Sequence, residues 1–128
     1  MLEDLALMRV LPNMVVINAG DTVEAHKATR AAAQYVGPVY LRFGRAPTPV
    51  FTTAETPFEL GKALTLFDPL DPVVSILSTG SLSATALLAA EQLSHVGIEV
   101  LVVHFATVKP LDTEAILHAA TRTSRVIT

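Results

Sequence analysis

The chain of 128 residues contains no cysteine and no tryptophan, and only 16% of its residues are charged. Without cysteine it has no disulfide framework, no thiol nucleophile and no thiolate ligand for a metal. Its aromatic residues are five phenylalanines and two tyrosines, scattered along the chain, and they form no platform on which bases would stack. The net charge of -3 gives no electrostatic reason to expect binding to nucleic acid or to an anionic membrane.

Long apolar runs are missing as well, although hydrophobic residues make up 51% of the sequence. No run reaches the roughly 18 residues that a membrane-spanning helix needs. The first residues, MLEDLALMR, carry acids and lack the basic start of a signal peptide. We therefore expect a soluble, cytoplasmic protein whose sheet is covered on both faces or whose apolar surface meets a partner.

Helix and strand patterns alternate through the first 45 residues. The predicted elements are a short helix over 3–11, a buried strand over 14–18, a helix from Asp21 to about 36 and a strand over 38–43. Asp21 and Glu24 have the spacing of a capping box at the start of the longer helix. Because strand, covering helix and strand follow in short order, the pattern predicts a parallel sheet.

The proline-rich segment 46–58 interrupts the alternation and predicts an extended connector between two domains. Residues 59–128 then repeat the alternation of strands and helices. Strands are predicted over 61–68, 73–79, 98–107 and 124–128, and helices over 80–96 and 113–122. Asp112 is placed to cap the last helix. The predicted fold class is α/β, with parallel-sheet units of three αβα layers in two partial domains, 1–45 and 59–128.

Two arginines, Arg42 and Arg45, close the second predicted strand in the segment GPVYLRFGRAPTPVF. Parallel sheets bind ligands at the carboxyl ends of their strands, and guanidinium groups suit phosphate or carboxylate. One interpretation is an anion clamp for a phosphorylated substrate. The other is an ion pair with Asp21 or Glu24, or simple solvation, and the residue pattern alone favours it. Arg45 is the better clamp candidate because it lies past Gly44, where the chain leaves the sheet.

The other polar candidates have simpler structural interpretations. Segment 78–87, STGSLSATAL, could hold an anion at a helix N-terminus, but an ordinary capped helix is favoured because the lysine of a phosphate-binding loop is missing. Glu3 and Asp4 are interpreted as capping groups rather than as an acid–base pair. His104 lies within an apolar strand and is expected to satisfy its ring by hydrogen bonds. The remaining histidines are expected at the surface: His26, His95 and His118.

Taken together, the motifs resemble the C-terminal part of transketolase, and most closely the small subunit of its split form. The resemblance follows essentially the whole chain in order, through EDLALMRVLPNMVVINAGDTVEAHKATRAA, GPVYLRFGRAPTPVF, PFELGKA and ILSTGSLSATALLAAEQLSHVGIEVLVVHFATVKPLDTEAIL. It implies that residues 1–45 are the second half of a pyrimidine-binding domain, that 46–58 are a linker, and that 59–128 are the first part of the C-terminal domain. The family transfers a two-carbon ketol unit between sugar phosphates and uses thiamine diphosphate and Mg, whose chemistry belongs to the cofactor.

Arg45 is the one site residue that the resemblance transfers to this sequence, since it falls on the family's arginine that grips the substrate phosphate. The glutamate that activates the aminopyrimidine ring and the domain that binds the diphosphate and Mg have no counterpart here. Met1 stands where the family's threonine–histidine segment ends. The resemblance therefore implies a fragment truncated at both ends, which binds neither cofactor nor metal by itself.

Such a fragment is expected to be inactive alone and to work with a thiamine-binding large subunit or a missing N-terminal region, on sugar phosphates. We also expect that the two parallel strands either pack with the second half of the chain into one body or complete their sheet against a second copy, in a homo-oligomer, because such sheets need cover on both faces. Fragments of 1-deoxyxylulose-5-phosphate synthase and of 2-oxoacid dehydrogenase β subunits are alternatives, although EDLALMR and PFELGKA favour transketolase. A non-catalytic assembly module is the alternative from another class.

Overall fold

The computed structural model describes residues 3–128, so the position of Met1 lies outside the described residues. The elements in chain order are α1 (Asp4–Val10), β1 (Val15–Asn18), α2 (Thr22–Gln34), β2 (Val39–Arg42), β3 (Leu64–Phe67), β4 (Val74–Ser78), α3 (Leu82–Ser94), β5 (Val100–His104), β6 (Thr107–Lys109), α4 (Thr113–Arg122) and β7 (Arg125–Ile127). The predicted α/β class is confirmed. Within the described range, no helix is both long and apolar enough to cross a membrane.

The first sheet is assembled from both halves of the chain. β1 lies in its middle, with β2 parallel on one side and β6 antiparallel on the other. Val15 and Ile17 of β1 are buried with Ala28 of α2, and Phe58 of the connector packs against them. The second half of the chain therefore joins the parallel pair, as a third strand through β6 and as packing through Leu60.

The prediction of one continuous strand over 98–107 is wrong. The chain leaves the second sheet after His104, bends at Ala106 and continues as β6 in the first sheet. Its backbone hydrogen bonds mark the change: the Phe105 N–H donates to the Ser78 carbonyl in the second sheet, whereas the Ala106 carbonyl accepts from the Asn18 N–H in the first. Every residue from Val100 to Thr107 is buried, and the apolar residues continue on both sides of His104, so the sequence pattern contains no signal for the break.

The second sheet has the strand order β3-β5-β4-β7, in which β4, β5 and β7 are parallel and β3 is antiparallel at one edge. Ala86 and Ala90 of α3 pack with Val100 and Val102 on one face, while Ala119 of α4 packs with the other side of β5. This cover on both faces explains why β5 is a continuous apolar run. The predicted domain division at 46–58 stays a prediction.

Two of the predicted helix caps are confirmed, with one change. Asp21 Oδ1 accepts from the Glu24 N–H at 2.8 Å, and Asp112 Oδ1 accepts from the Ala115 N–H at 3.1 Å. The Glu24 carboxylate, however, accepts from the N–H of Gly20 at 2.6 Å. In a capping box it would accept from the N–H of Asp21, so its partner lies one residue earlier than expected. This shift matters because it attaches Glu24 to the turn that follows β1.

The turn before α3 does not hold the ordinary capped helix that segment 78–87 predicted. In the described part of the chain, Ser81 at the N-cap position makes no side-chain capping bond. Thr79 instead accepts from the Asn18 amide at 3.3 Å and donates to the Phe105 carbonyl at 2.7 Å. Gly80 has φ +61°, and a Cβ there would lie 2.4 Å from Asn18 Nδ2. The glycine therefore allows the end of β1 to approach the second half closely.

Replacing Gly80 by alanine is expected to destabilise the fold more than the same change at Gly97. Both glycines have left-handed backbones, with φ +61° and +78°, which cost a non-glycine residue about 1–2 kcal/mol. A Cβ at Gly97 meets no described atom within 4 Å, whereas one at Gly80 overlaps the Asn18 amide. We expect an additional loss of about 1–3 kcal/mol in the free energy of unfolding of Gly80→Ala, measured by urea denaturation. Equal losses in the two variants would contradict the close approach.

Candidate functional site

The carboxyl ends of β1 and β2 meet beside the N-terminus of α2 and enclose a cavity of about 120 Å³. Open parallel sheets bind ligands at this edge. The wall includes Gly20, Asp21 and Thr22 from the turn into α2, and Gly44 and Ala46 from the segment after β2. The volume is below the several hundred Å³ of sites that enclose a whole small ligand, so it suits a single group such as phosphate.

Arg45 lies between two residues of this wall, Gly44 and Ala46, and is exposed. Among residues 3–128, no ion pair or hydrogen bond joins its guanidinium to the protein. Its N–H donors, five in a planar fork, are therefore free to contact an anion that enters from solvent. Arg45 thus lies at the strand end that the sequence indicated, next in the chain to two residues that line the cavity, and its role as phosphate ligand stays a prediction.

Arg42, three residues earlier, forms the strand-end ion pair, but its partner differs from the prediction. Its Nε lies 3.0 Å from Asp4 Oδ2 in α1, rather than near Asp21 or Glu24. The Tyr40 hydroxyl donates to the same Asp4 oxygen at 2.8 Å. The hydrogen bond from Tyr40 lowers the pKa of Asp4, burial raises it, and Arg42 lowers it, with a net value below the usual one.

Asp4 lies in the first turn of α1, at the helix start where the sequence analysis put it, and it is also an ion-pair partner that ties α1 to the end of β2. Glu3 occupies the N-cap position of α1, but within the described residues its side chain makes no capping hydrogen bond. The two carboxylates do not form an acid–base pair, since only Asp4 is engaged and it is engaged by Tyr40 and Arg42.

Asp21 is saturated by hydrogen bonds from the connector as well as from its own helix. Its oxygens accept from the Glu24 N–H and the Thr52 hydroxyl at 2.8 Å, the Phe51 N–H at 2.8 Å and the Thr52 N–H at 2.6 Å. Burial raises the pKa of Asp21, but the hydrogen bonds outweigh it and leave the pKa below its usual value. The cavity wall thus carries a negative charge, and an anion that enters needs a cation such as Arg45.

A buried chain of hydrogen bonds connects Glu24 to His104 and Ser83. His104 Nε2 lies 2.8 Å from Glu24 Oε2, and its Nδ1 lies 2.5 Å from Ser83 Oγ, which in turn lies 2.8 Å from Ser78 Oγ. His104 and Ser83 are completely buried and Glu24 is 4% exposed. The prediction that His104 satisfies its ring by hydrogen bonds is confirmed. The other three histidines are exposed, as predicted.

The order carboxylate, imidazole, hydroxyl is that of a serine hydrolase, but Ser83 is fully buried and no substrate reaches its oxygen. With a neutral ring, the Nε2–H donates to Glu24, and Nδ1 accepts from Ser83, which accepts from Ser78. With a charged ring, His104 donates to Ser83, Ser83 to Ser78, and Ser78 to the carbonyl of Val103 at 3.4 Å. Both arrangements satisfy every buried donor of this hydrogen-bonded series, so the series from Glu24 to Ser78 is a structural link between the two halves of the protein.

Comparison with known proteins adds a family context to this geometry. Residues 61–128 match the family model described as transketolase, C-terminal domain. The chain is 40% identical over 127 residues to the 6-deoxy-6-sulfo-D-fructose transketolase subunit SqwH of Clostridium sp. (strain MSTE9), covering 99% of this chain and 39% of that protein. It is 37% identical over 128 residues to an apulose-4-phosphate transketolase subunit of Phocaeicola vulgatus, covering 99% and 40%.

A solved structure described as a split gene transketolase, inactive beta4 tetramer, superposes on this chain with a TM-score of 0.91 at 40% identity. The match covers 97% of this chain and 41% of that one. The chain therefore spans about two fifths of the length of these relatives.

Replacing Asp21 by asparagine is expected to lower stability at neutral pH by about 1–3 kcal/mol, because one amide oxygen cannot accept from all four donors. The pKa of Asp21 in the folded state is lower than in the unfolded chain. Its carboxylate thus stabilises the fold above a pH of about 3.8, and this contribution is lost as the pH falls through the folded value.

Urea unfolding between about pH 7 and pH 2.5 measures this effect. The difference in the free energy of unfolding between wild type and Asp21→Asn should become smaller as the pH falls. Asp71→Asn is the matched control, since Asp71 is exposed and has no ion pair among residues 3–128. A difference that stays constant over this range would contradict the assignment.

Proposed function

This chain belongs to the transketolase family, and we propose that it supplies the residue that holds the terminal phosphate of the sugar substrate, Arg45. The observation that carries this proposal is that Arg45 is exposed and lies in the chain between Gly44 and Ala46, which line a cavity of about 120 Å³ at the carboxyl ends of two parallel strands. A planar guanidinium contacts two phosphate oxygens at once, and these charge-assisted hydrogen bonds are stronger than neutral ones.

The substrate class proposed is a sugar that ends in a tetrahedral oxyanion. One of the two transketolase relatives is named for a sulfosugar and the other for a sugar phosphate, so related chains are associated with both kinds of terminal group. We take phosphate as the ligand and treat sulfonate as an alternative for the experiment to separate. The reaction proposed for the assembled enzyme is transfer of a two-carbon ketol unit between such sugars.

The family's cofactors, thiamine diphosphate and Mg, do not fit the described residues. Within 3–128, no group of three or more His, Asp or Glu side chains could hold a metal ion. The cavity beside Arg45 is also small for a whole cofactor. We therefore propose that a thiamine-binding large subunit or an N-terminal region supplies the cofactor site, and that this chain alone is inactive.

Self-association is a second proposal, and the inactive beta4 tetramer described for the solved relative favours it. An apolar groove of about 560 Å³ lies between α3, α4 and the end of β7, and Leu82 and Ile127 on its wall are 68% and 53% exposed. Exposed apolar surface of this kind marks sites of contact with other protein surfaces. Sedimentation of the purified chain over a range of concentrations measures its oligomeric state, and a monomer at all concentrations would contradict this second proposal.

Arg45→Ala is expected to raise the KM for phosphorylated sugars roughly 10- to 150-fold, the effect of losing a charge-assisted hydrogen bond of about 1.5–3 kcal/mol. The assay mixes the chain with a thiamine-binding large subunit at fixed salt concentration. Arg42→Ala is the matched control: it should lower the urea midpoint by leaving Asp4 without its cation, and leave the KM of the folded protein unchanged.

An active wild-type mixture whose KM does not change on Arg45→Ala would show that this role is wrong. A sulfosugar substrate that is used better than the sugar phosphate, with the same dependence on Arg45, would replace phosphate by sulfonate as the ligand.

A further inference from the structure

We infer that His104 is a positioning residue for the cavity beside Arg45, because it fixes, through Glu24, the backbone turn that forms one wall of that cavity. The inference rests on the proposed function, which assigns the cavity to a substrate anion. It gives the second half of the chain a part in a site whose lining comes mainly from the first half.

One carboxylate oxygen connects His104 to the cavity wall. Glu24 Oε2 accepts from His104 Nε2 at 2.8 Å and from the Gly20 N–H at 2.6 Å, and Gly20 lines the cavity. The oxygen therefore holds the imidazole and the backbone turn at the same time. Since Glu24 is only 4% exposed, water cannot easily replace the histidine as its donor.

Direct packing provides a second connection. A Cβ at Gly20 would lie 3.1 Å from His104 Cε1 and 2.3 Å from Phe51 Cζ, so the turn is confined between the two rings. These rings meet edge to face with centroids 5.5 Å apart. The Phe51 N–H donates in turn to Asp21, another wall residue. His104 thus contacts both the turn after β1 and the connector that closes over it.

The imidazole is itself held rigidly by the second half of the chain. Its Nδ1 is bound to Ser83 in α3, and its backbone pairs with Leu64 of β3 and Ser78 of β4 in the middle of the second sheet. A ring fixed in this way cannot follow a movement of the turn. The geometry therefore predicts that loss of the bond to Glu24 frees the Gly20 backbone and disorders the cavity wall.

Two variants test separately the two hydrogen bonds of the His104 ring, to Glu24 and to Ser83. His104→Gln places an amide near the Nε2 position and keeps a donor for Glu24, whereas His104→Asn places it near the Nδ1 position and keeps the contact with Ser83. Both variants lose the aromatic ring, but His104→Asn is also smaller than His104→Gln by one methylene group, so Gly20 exchange is compared with that of β5 amides in the same variant, which reports any loss of overall stability. The measurements on the full chain are amide hydrogen exchange at Gly20 and NMR titration with inorganic phosphate.

We expect Gly20 to exchange at least about tenfold faster in His104→Asn than in wild type, and His104→Gln to remain within about threefold. The dissociation constant for phosphate should rise in the same order, with circular dichroism confirming that each variant is folded. Equal Gly20 exchange in the two variants overturns the inference, whatever their stabilities.

Arg45→Ala distinguishes this inference from the proposed function. If wild type and Arg45→Ala bind phosphate equally, the proposed function is wrong, and Gly20 exchange in the two His104 variants still decides whether His104 positions the turn. Should a His104 variant fail to fold, Glu24→Gln, which keeps an acceptor oxygen, and Glu24→Ala, which removes it, replace the pair. Equal Gly20 exchange in these two would overturn the inference as well.

Discussion

The buried hydrogen bond between Glu24 and His104 joins the two halves of this chain, and the rest of the structure depends on it. A carboxylate that is 4% exposed must receive hydrogen bonds from protein groups, and its donors here come from opposite ends of the sequence. Satisfying it requires the turn before α2 and the end of β5 to come together, and His104 in turn contacts Ser83 in the first turn of α3. The crossing of the chain into the first sheet after His104 and the close contact of Asn18 with Gly80 follow from the same approach.

Two arginines near the end of β2, Arg42 and Arg45, have different surroundings. Arg42 is the last residue of β2, and Asp4 in α1 neutralises its charge. Arg45 lies beyond Gly44, where the chain has left the sheet; it is exposed, and its chain neighbours Gly44 and Ala46 line a cavity. Arg42 therefore takes part in the fold, whereas Arg45 has no ion-pair partner among residues 3–128, which is why we propose it for an anionic substrate.

The parts of the fold that the sequence predicted well are those encoded by neighbouring residues. Continuous apolar runs identified β1 and β5, and the caps at Asp21 and Asp112 follow from local spacing. Long-range pairings had no local signal: Asp4 lies 38 residues from Arg42, and Thr52 lies 31 residues from Asp21. The change of sheet after His104 also had no local signal, because buried residues continue through it from Val100 to Thr107. The role proposed for Arg45 comes from family resemblance, whereas the residue pattern alone favoured an ion pair or simple solvation.

We expect the buried junction between Glu24 and His104 to make the two sheets a single cooperative structure. Native-state amide hydrogen exchange in low concentrations of urea tests this cooperativity most directly. We predict that the most protected amides of β1 and β5 exchange through one opening, with the same free energy and the same dependence on urea. Exchange of β1 amides through an opening of lower free energy that leaves β5 protected would contradict it.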